Sequence, residues 1–177
     1  MAKIANMDAA KATNKMTAAL RGFNMELNQT SAQRVSDVYS ELAAITAADT
    51  NEIANAMTKT ASIAYSAGMK FETTAAFLSQ IIETTRESAE TAGTAMKTVI
   101  ARFQELKKAP DEIGEIDGEI VDANAIETAL RSVGVSLRDA KGQFRKLDDV
   151  FLELSSKWGD LDKNTQRYIA TIAAGSR

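Results

Sequence analysis

Close pairs of acidic side chains are the residues of this sequence that could do general acid–base chemistry. Two carboxylates that share a cleft can donate and accept protons. None of the pairs lies beside a nucleophile, a set of metal ligands or a glycine-rich phosphate loop. We therefore predict that the chain is not an enzyme and binds no cofactor. The pairs are Glu83/Glu87, Asp148/Asp149 and Asp160/Asp162.

The composition narrows the chemistry further, because the sequence has no histidine and no cysteine. This excludes Ser-His-Asp and Cys-His catalysis, zinc sites built from imidazole or thiolate, and disulfide bonds. Hydrophobic residues make up 45% of the chain and charged residues 25%, which is typical of a soluble folded protein. The net charge is only -3, so we expect no sequence-specific nucleic acid partner.

An acidic segment at residues 110–123 divides the chain. It begins at the only proline, Pro110, and carries two glycines among its carboxylates. Carboxylates at short spacing suit a calcium loop, but the EF-hand order of ligands, central glycine and final glutamate is absent. A solvated linker is the interpretation that we favour. The carboxylates are Asp111, Glu112, Glu115, Asp117, Glu119 and Asp122.

Most of the remaining sequence has helical periodicity, so we predict a mainly α fold, a multi-helix bundle of short amphipathic helices. Residues 1–109 form a helical segment, and residues 124–177 form a helix–hairpin–helix–helix unit. Asp49 and Glu52 form a capping-box pattern before a helix that ends at Gly68, where a left-handed residue is favoured. Gly93 lies inside another helix. We favour a close helix crossing there over a merely tolerated glycine.

The spacing of apolar residues changes from the helical period to the strand period only between Gly134 and Trp158. Alternating residues on either side of a turn at Gly142 predict a small β-hairpin near residues 135–145. Asp148 is placed to cap the helix that follows. We expect Phe144, Phe151, Leu154 and Trp158 to pack together as a small core, and to be structural residues together with Gly68, Gly93, Gly134, Gly142 and Asp148.

Six segments of the chain resemble the core region of phage tail tape measure proteins. They occur in the order found in that family and extend from about residue 10 to the end of the chain. The family's pattern continues beyond Gly175-Ser-Arg, so we expect this chain to be a fragment of a longer protein. The segments are residues 37–42, 61–77, 88–103, 133–149, 153–158 and 166–177.

The resemblance implies a structural virion protein that lies in the tail lumen, sets the length of the tail tube and assists genome ejection into the host. It also implies several copies per tail and contacts with the tail tube protein, tail assembly chaperones, tail tip proteins and the host envelope. A membrane-active or peptidoglycan-associated helical module of a phage or prophage protein is the alternative. The breaks between helices predict a folded segment, separate from any extended rod.

Overall fold

The computed structural model describes residues 8–105 and 123–175. These residues contain eight α-helices and no β-strand, which confirms the prediction of a mainly α fold. The helices are α1 (Ala9–Gly22), α2 (Gln29–Ile45), α3 (Thr50–Ser66), α4 (Phe71–Thr85), α5 (Ala89–Glu105), α6 (Ala123–Ser132), α7 (Leu147–Trp158) and α8 (Lys163–Ala174).

The chain divides into two compact units, Met1–Lys97 and Thr98–Arg177. Residues 110–122 of the predicted acidic linker lie outside the described residues, and the predicted domain limits of 1–109 and 124–177 remain predictions.

The first unit is built around α3. This helix starts with the predicted capping box, in which Asp49 accepts from the Glu52 amide and Glu52 accepts from the Asp49 amide. Its buried residues lie on one broad face of the helix, against which α1, α2 and α4 pack and α5 crosses at Gly93. Most of these residues are small, which lets the neighbouring backbones approach closely. The buried residues are Thr50, Ile53, Ala54, Ala56, Met57, Thr60, Ala61 and Ala64.

Three helices end in the same hydrogen-bonded motif. In each, a residue with positive φ follows the cap: Asn24 (φ 53°) after α1, Gly68 (φ 77°) after α3 and Gly134 (φ 73°) after α6. The next amide bonds a carbonyl five residues back, as from Met69 to Ala64 at 2.9 Å. This is the Schellman arrangement, which satisfies carbonyls at a helix end. At the first of these ends, α1 stops at Gly22 with Phe23 as its cap.

The second unit contains the last residues of α5, with the buried Ile100 and Phe103, and the helices α6, α7 and α8. Its buried residues come from the inner faces of these helices and from the segment that joins α6 to α7. Alternating positions of that segment, Val135 and Leu137, are buried, as the change of period in the sequence predicts. The buried apolar residues of the three helices are Ile126, Ala129, Leu130, Leu147, Val150 and Ile169.

The β-hairpin predicted near residues 135–145 is wrong as a pair of strands. The segment has one isolated antiparallel bridge, between Arg138 and Phe144. The pairing cannot lengthen, because the Val135 amide is engaged in the end of α6 and α7 begins at Leu147. Too few residues remain on either side of the turn to build a ladder.

Candidate functional site

One close approach in the first unit is the crossing of α5 and α3 at Gly93. A Cβ atom placed on Gly93 would lie 2.6 Å from the carbonyl oxygen of Ala56 and 3.0 Å from its Cα. The buried hydroxyl of Thr60 donates to the carbonyl oxygens of Ala56 (3.0 Å) and Gly93 (3.1 Å). Glycine is therefore required sterically at this position. Lys59 pairs with Glu90 nearby at 2.9 Å, and this contact lowers the pKa of the Glu90 carboxyl.

A second close approach joins α1 to α3 at Gly22. A Cβ atom on Gly22 would overlap Ala61 Cβ and lie 3.3 Å from the Ala61 carbonyl carbon. A glycine inside a helix is not by itself evidence of a contact, so the sequence does not identify this one. Ala61 and its alanine neighbours predict that some backbone approaches α3, but the identity of the partner depends on the tertiary fold.

An aromatic cluster lies in the core of the first unit. Phe71 contacts Phe23 edge to face at 5.6 Å between ring centroids and lies 5.4 Å from Tyr39. Tyr39 is fully buried, and its hydroxyl has no hydrogen-bond partner among the described residues. Burial raises the pKa of the Tyr39 hydroxyl above its ordinary value. The cluster is a packing site, and nothing in it resembles a reactive tyrosine with a neighbouring base.

A buried carboxylate holds the segment between α6 and α7, which is residues 133–146. Glu127 is 8% exposed and accepts from Arg131 Nη2 at 2.6 Å and from Arg138 Nε at 3.3 Å. The Arg138 guanidinium also lies 4.0 Å from the centroid of the Phe144 ring and donates to the Gly142 carbonyl at 3.0 Å. Charged and aromatic contacts of this kind fix the segment against α6. We call this group the Glu127 clamp.

A second carboxylate holds the same segment against α7. Arg145 Nη1 donates to Glu153 Oε2 at 2.7 Å and to the Ser136 carbonyl at 2.9 Å. Lys157 Nζ donates to the Gly134 carbonyl and lies 3.4 Å from Glu153 Oε1. The hydrogen bond from Arg145 is the main cause of the lowered pKa of the Glu153 carboxyl. Glu153 and Lys157 lie four residues apart on α7, a spacing that is visible in the sequence. The contacts of Arg145 and the bond from Lys157 to Gly134 join different elements, so the sequence does not predict them.

The structure places several of the predicted structural residues differently from expectation. Asp148 is buried in the first turn of α7 and is not its cap, a position that belongs to Lys146. Phe151 contacts Phe103 edge to face at 5.2 Å. Gly142 has the expected positive φ of 76°, in open space. The residues expected to form a small core together are only half-buried: Phe144, Phe151, Leu154 and Trp158.

Members of the three carboxylate pairs lie on the protein surface or in the first turns and caps of helices. Glu87 and Asp149 are exposed, and Asp162 caps α8 by accepting from the amides of Asn164 and Thr165. The Thr165 hydroxyl is the main cause of the lowered pKa of Asp162. Among residues 8–105 and 123–175, no group of His, Cys, Asp or Glu is arranged to hold a metal ion. No helix within these ranges is both long and apolar enough to span a bilayer.

Comparison with known proteins gives a consistent assignment. The sequence model of a family described as phage-related minor tail protein matches residues 1–175. A tape measure protein of Pneumococcus phage Dp-1 is 27% identical over 173 residues, which cover 97% of this chain and 13% of that relative. No solved structure matches the chain. The resemblance to tape measure proteins is thereby confirmed, and the chain belongs to the phage-related minor tail protein family.

Proposed function

We propose that this chain is a folded, non-catalytic segment of a tape measure protein. In this proposal the complete protein lies in the tail lumen, sets the length of the tail tube and assists genome ejection. The similarity to the tape measure protein of phage Dp-1 supports the assignment. The match covers only 13% of that relative, so in this proposal the extended ruler lies in another part of the complete protein. The segment supplies a rigid structural module and does no chemistry of its own.

The observation that carries this proposal is the folding of α1 and α5 back against α3. A ruler converts residues into length at about 1.5 Å per residue only where one helix runs on without interruption. The longest helices described have 17 residues and are about 25 Å long. A chain folded in this way adds little to the length of a rod, so its contribution is that of a module.

The partners in this proposal follow from the same assignment. We expect the module to meet the tail tube protein, the tail assembly chaperones, the tail tip proteins and other copies of itself in the tail, and then the host envelope at infection. Its exposed apolar side chains are scattered through both units, which is ordinary for a protein surface and names no docking site.

Tail length in a phage that encodes this chain tests the proposal. A duplication of residues 1–177 within the complete gene gives tails of parental length in electron micrographs if the segment is a folded module. Tails longer by about 265 Å, the helical length of the added residues, would contradict the proposal.

A matched control separates the fold from the insertion itself. An insertion of equal length, taken from a continuous helical region of the same protein, should lengthen the tail by about 265 Å. Mass spectrometry of purified virions should also detect peptides of the segment. Their absence from virions that carry normal tails would overturn the structural role.

A further inference from the structure

The break between α4 and α5 differs from the other helix ends of the first unit. It is made by Arg86, whose φ of 58° and ψ of 17° place it in the left-handed region, which disfavours residues with a Cβ atom. After α1 and α3 the corresponding positions hold Asn24 and Gly68, which are the residue types that adopt this conformation readily. The left-handed conformation at Arg86 is therefore not one that its residue type favours.

The sequence of residues 71–92 is compatible with an unbroken helix. It contains no glycine and no proline, and the three residues of the break, Arg86, Glu87 and Ser88, are all tolerated inside helices. The only local support for the break is capping. The Ser88 hydroxyl accepts from the Thr91 amide at 3.1 Å, and the Thr85 hydroxyl accepts from the Glu87 amide at 3.2 Å.

The spacing of the inward-facing residues in the sequence continues without a shift from α4 through the break into α5. Two sets of residues, each with a spacing of seven, alternate along α4 and continue into α5. This 3.5-residue repeat is the pattern of a single amphipathic helix with a continuous seam. Every member is buried or half-buried except Thr85, beside the break. The sets are Phe71, Leu78, Thr85, Ala92 and Val99, and Ala75, Ile82, Ala89, Met96 and Phe103.

Contacts with α3 hold the two helices apart. The crossing at Gly93, the hydrogen bond from Thr60 to the Gly93 carbonyl and the ion pair between Lys59 and Glu90 all join α5 to α3. None of them involves residues of the break itself. The left-handed conformation of Arg86 is therefore imposed by packing at a distance.

We propose that α4 and α5 are two halves of one helix-forming sequence, which joins into a continuous helix over residues 71–105 when α5 is released from α3. The joined helix is about 52 Å long and carries the seam along its full length. Arg86 is the hinge of this two-state element.

The test uses the complete 177-residue chain, labelled for NMR. The double variant Thr60→Val/Ser88→Ala adds no bulk. Thr60→Val removes the hydrogen bond from α3 to the Gly93 carbonyl, and Ser88→Ala removes the side-chain cap of α5. We expect the Cα chemical shifts of residues 86–88 to move toward helical values, and sequential amide NOEs to run without interruption from Phe71 to Met96. Shifts that stay at their parental values, or that move toward random coil, would overturn the proposal.

A third substitution reverses the expected effect. Arg86→Gly favours the left-handed conformation and disfavours the helix interior, so adding it to the double variant should restore the non-helical shifts at residues 86–88. In the otherwise unchanged chain the same substitution should raise the thermal midpoint by a few degrees. If Arg86→Gly lowers that midpoint, or leaves the helical shifts of the triple variant in place, the hinge is wrongly assigned.

Discussion

At the scale of single residues, the crossing of α5 and α3 depends on a glycine, Gly93. Gly93→Ala gains helix propensity of about 1 kcal/mol, but it drives a methyl group into the Ala56 backbone. Overpacking against backbone costs more, so we expect the free energy of unfolding to fall by about 1–3 kcal/mol. Urea unfolding followed by circular dichroism measures this change.

Gly159→Ala is the matched control for that substitution. Gly159 has helical φ and ψ of -66° and -27°, and no atom lies within 4 Å of an added Cβ. The same chemical change should therefore be neutral or stabilise the chain by up to about 1 kcal/mol. If both alanines have the same effect, the crossing at Gly93 is not as close as described.

Tyr39 gives a pH-dependent prediction. Burial raises its pKa, so above about pH 10 the unfolded chain loses the phenol proton while the folded chain retains it. The unfolded state then binds fewer protons, and stability falls by about 1.4 kcal/mol per pH unit above that point. Tyr39→Phe should remove this loss, and it should add about 1 kcal/mol near neutral pH because the hydroxyl has no partner among the described residues.

Urea unfolding of both proteins between pH 8 and 11 measures the effect of Tyr39. Phenylalanine keeps the ring that packs 5.4 Å from Phe71, so the comparison isolates the hydroxyl. If the two proteins lose stability in parallel above pH 10, Tyr39 ionises in the folded state and is not buried as described.

At the scale of elements, the two arginines of the Glu127 clamp should contribute differently to the stability of the fold. Arg138 has a side chain 25% exposed, lies against Phe144 and bonds two acceptors, whereas the Arg131 side chain is 64% exposed. We expect Arg138→Ala to lower the free energy of unfolding by about 1–3 kcal/mol and Arg131→Ala by less than about 0.5 kcal/mol. Urea unfolding of the two variants measures the difference, and equal losses would contradict the clamp.

The helices were predictable because their signals are local. Asp49 and Glu52 lie three residues apart, and Gly68 directly follows the helix that it ends, so the sequence alone indicates both limits of α3. The β-hairpin prediction failed because alternating apolar and polar residues show only that one side of a segment is buried. A loop that packs against helices, such as the one with Val135 and Leu137, has the same pattern as a strand. Asp148 was misplaced because α7 starts two residues earlier than a cap at Asp148 would place it.

At the scale of the whole molecule, the candidate sites depend on contacts that the sequence does not report. The small residues of α3 predict a close neighbour, but only the fold identifies Gly22 and Gly93 as the glycines that reach it. Glu127 and Arg131 form a visible pair four residues apart, whereas the bond from Arg138 needs the loop to return to α6. Membership of the phage-related minor tail protein family was accessible from sequence, because it rests on residue order along the chain.

The central claim is that this region of a phage tail protein is folded back on itself and is not an extended helix. NOEs between Gly93 and the facing residues Ala56 and Thr60, measured in the complete chain, test it most directly. The structure predicts strong NOEs at this crossing. In one continuous helix Ala56 and Gly93 would lie about 55 Å apart. A spectrum with only short-range helical NOEs for these residues would contradict the account.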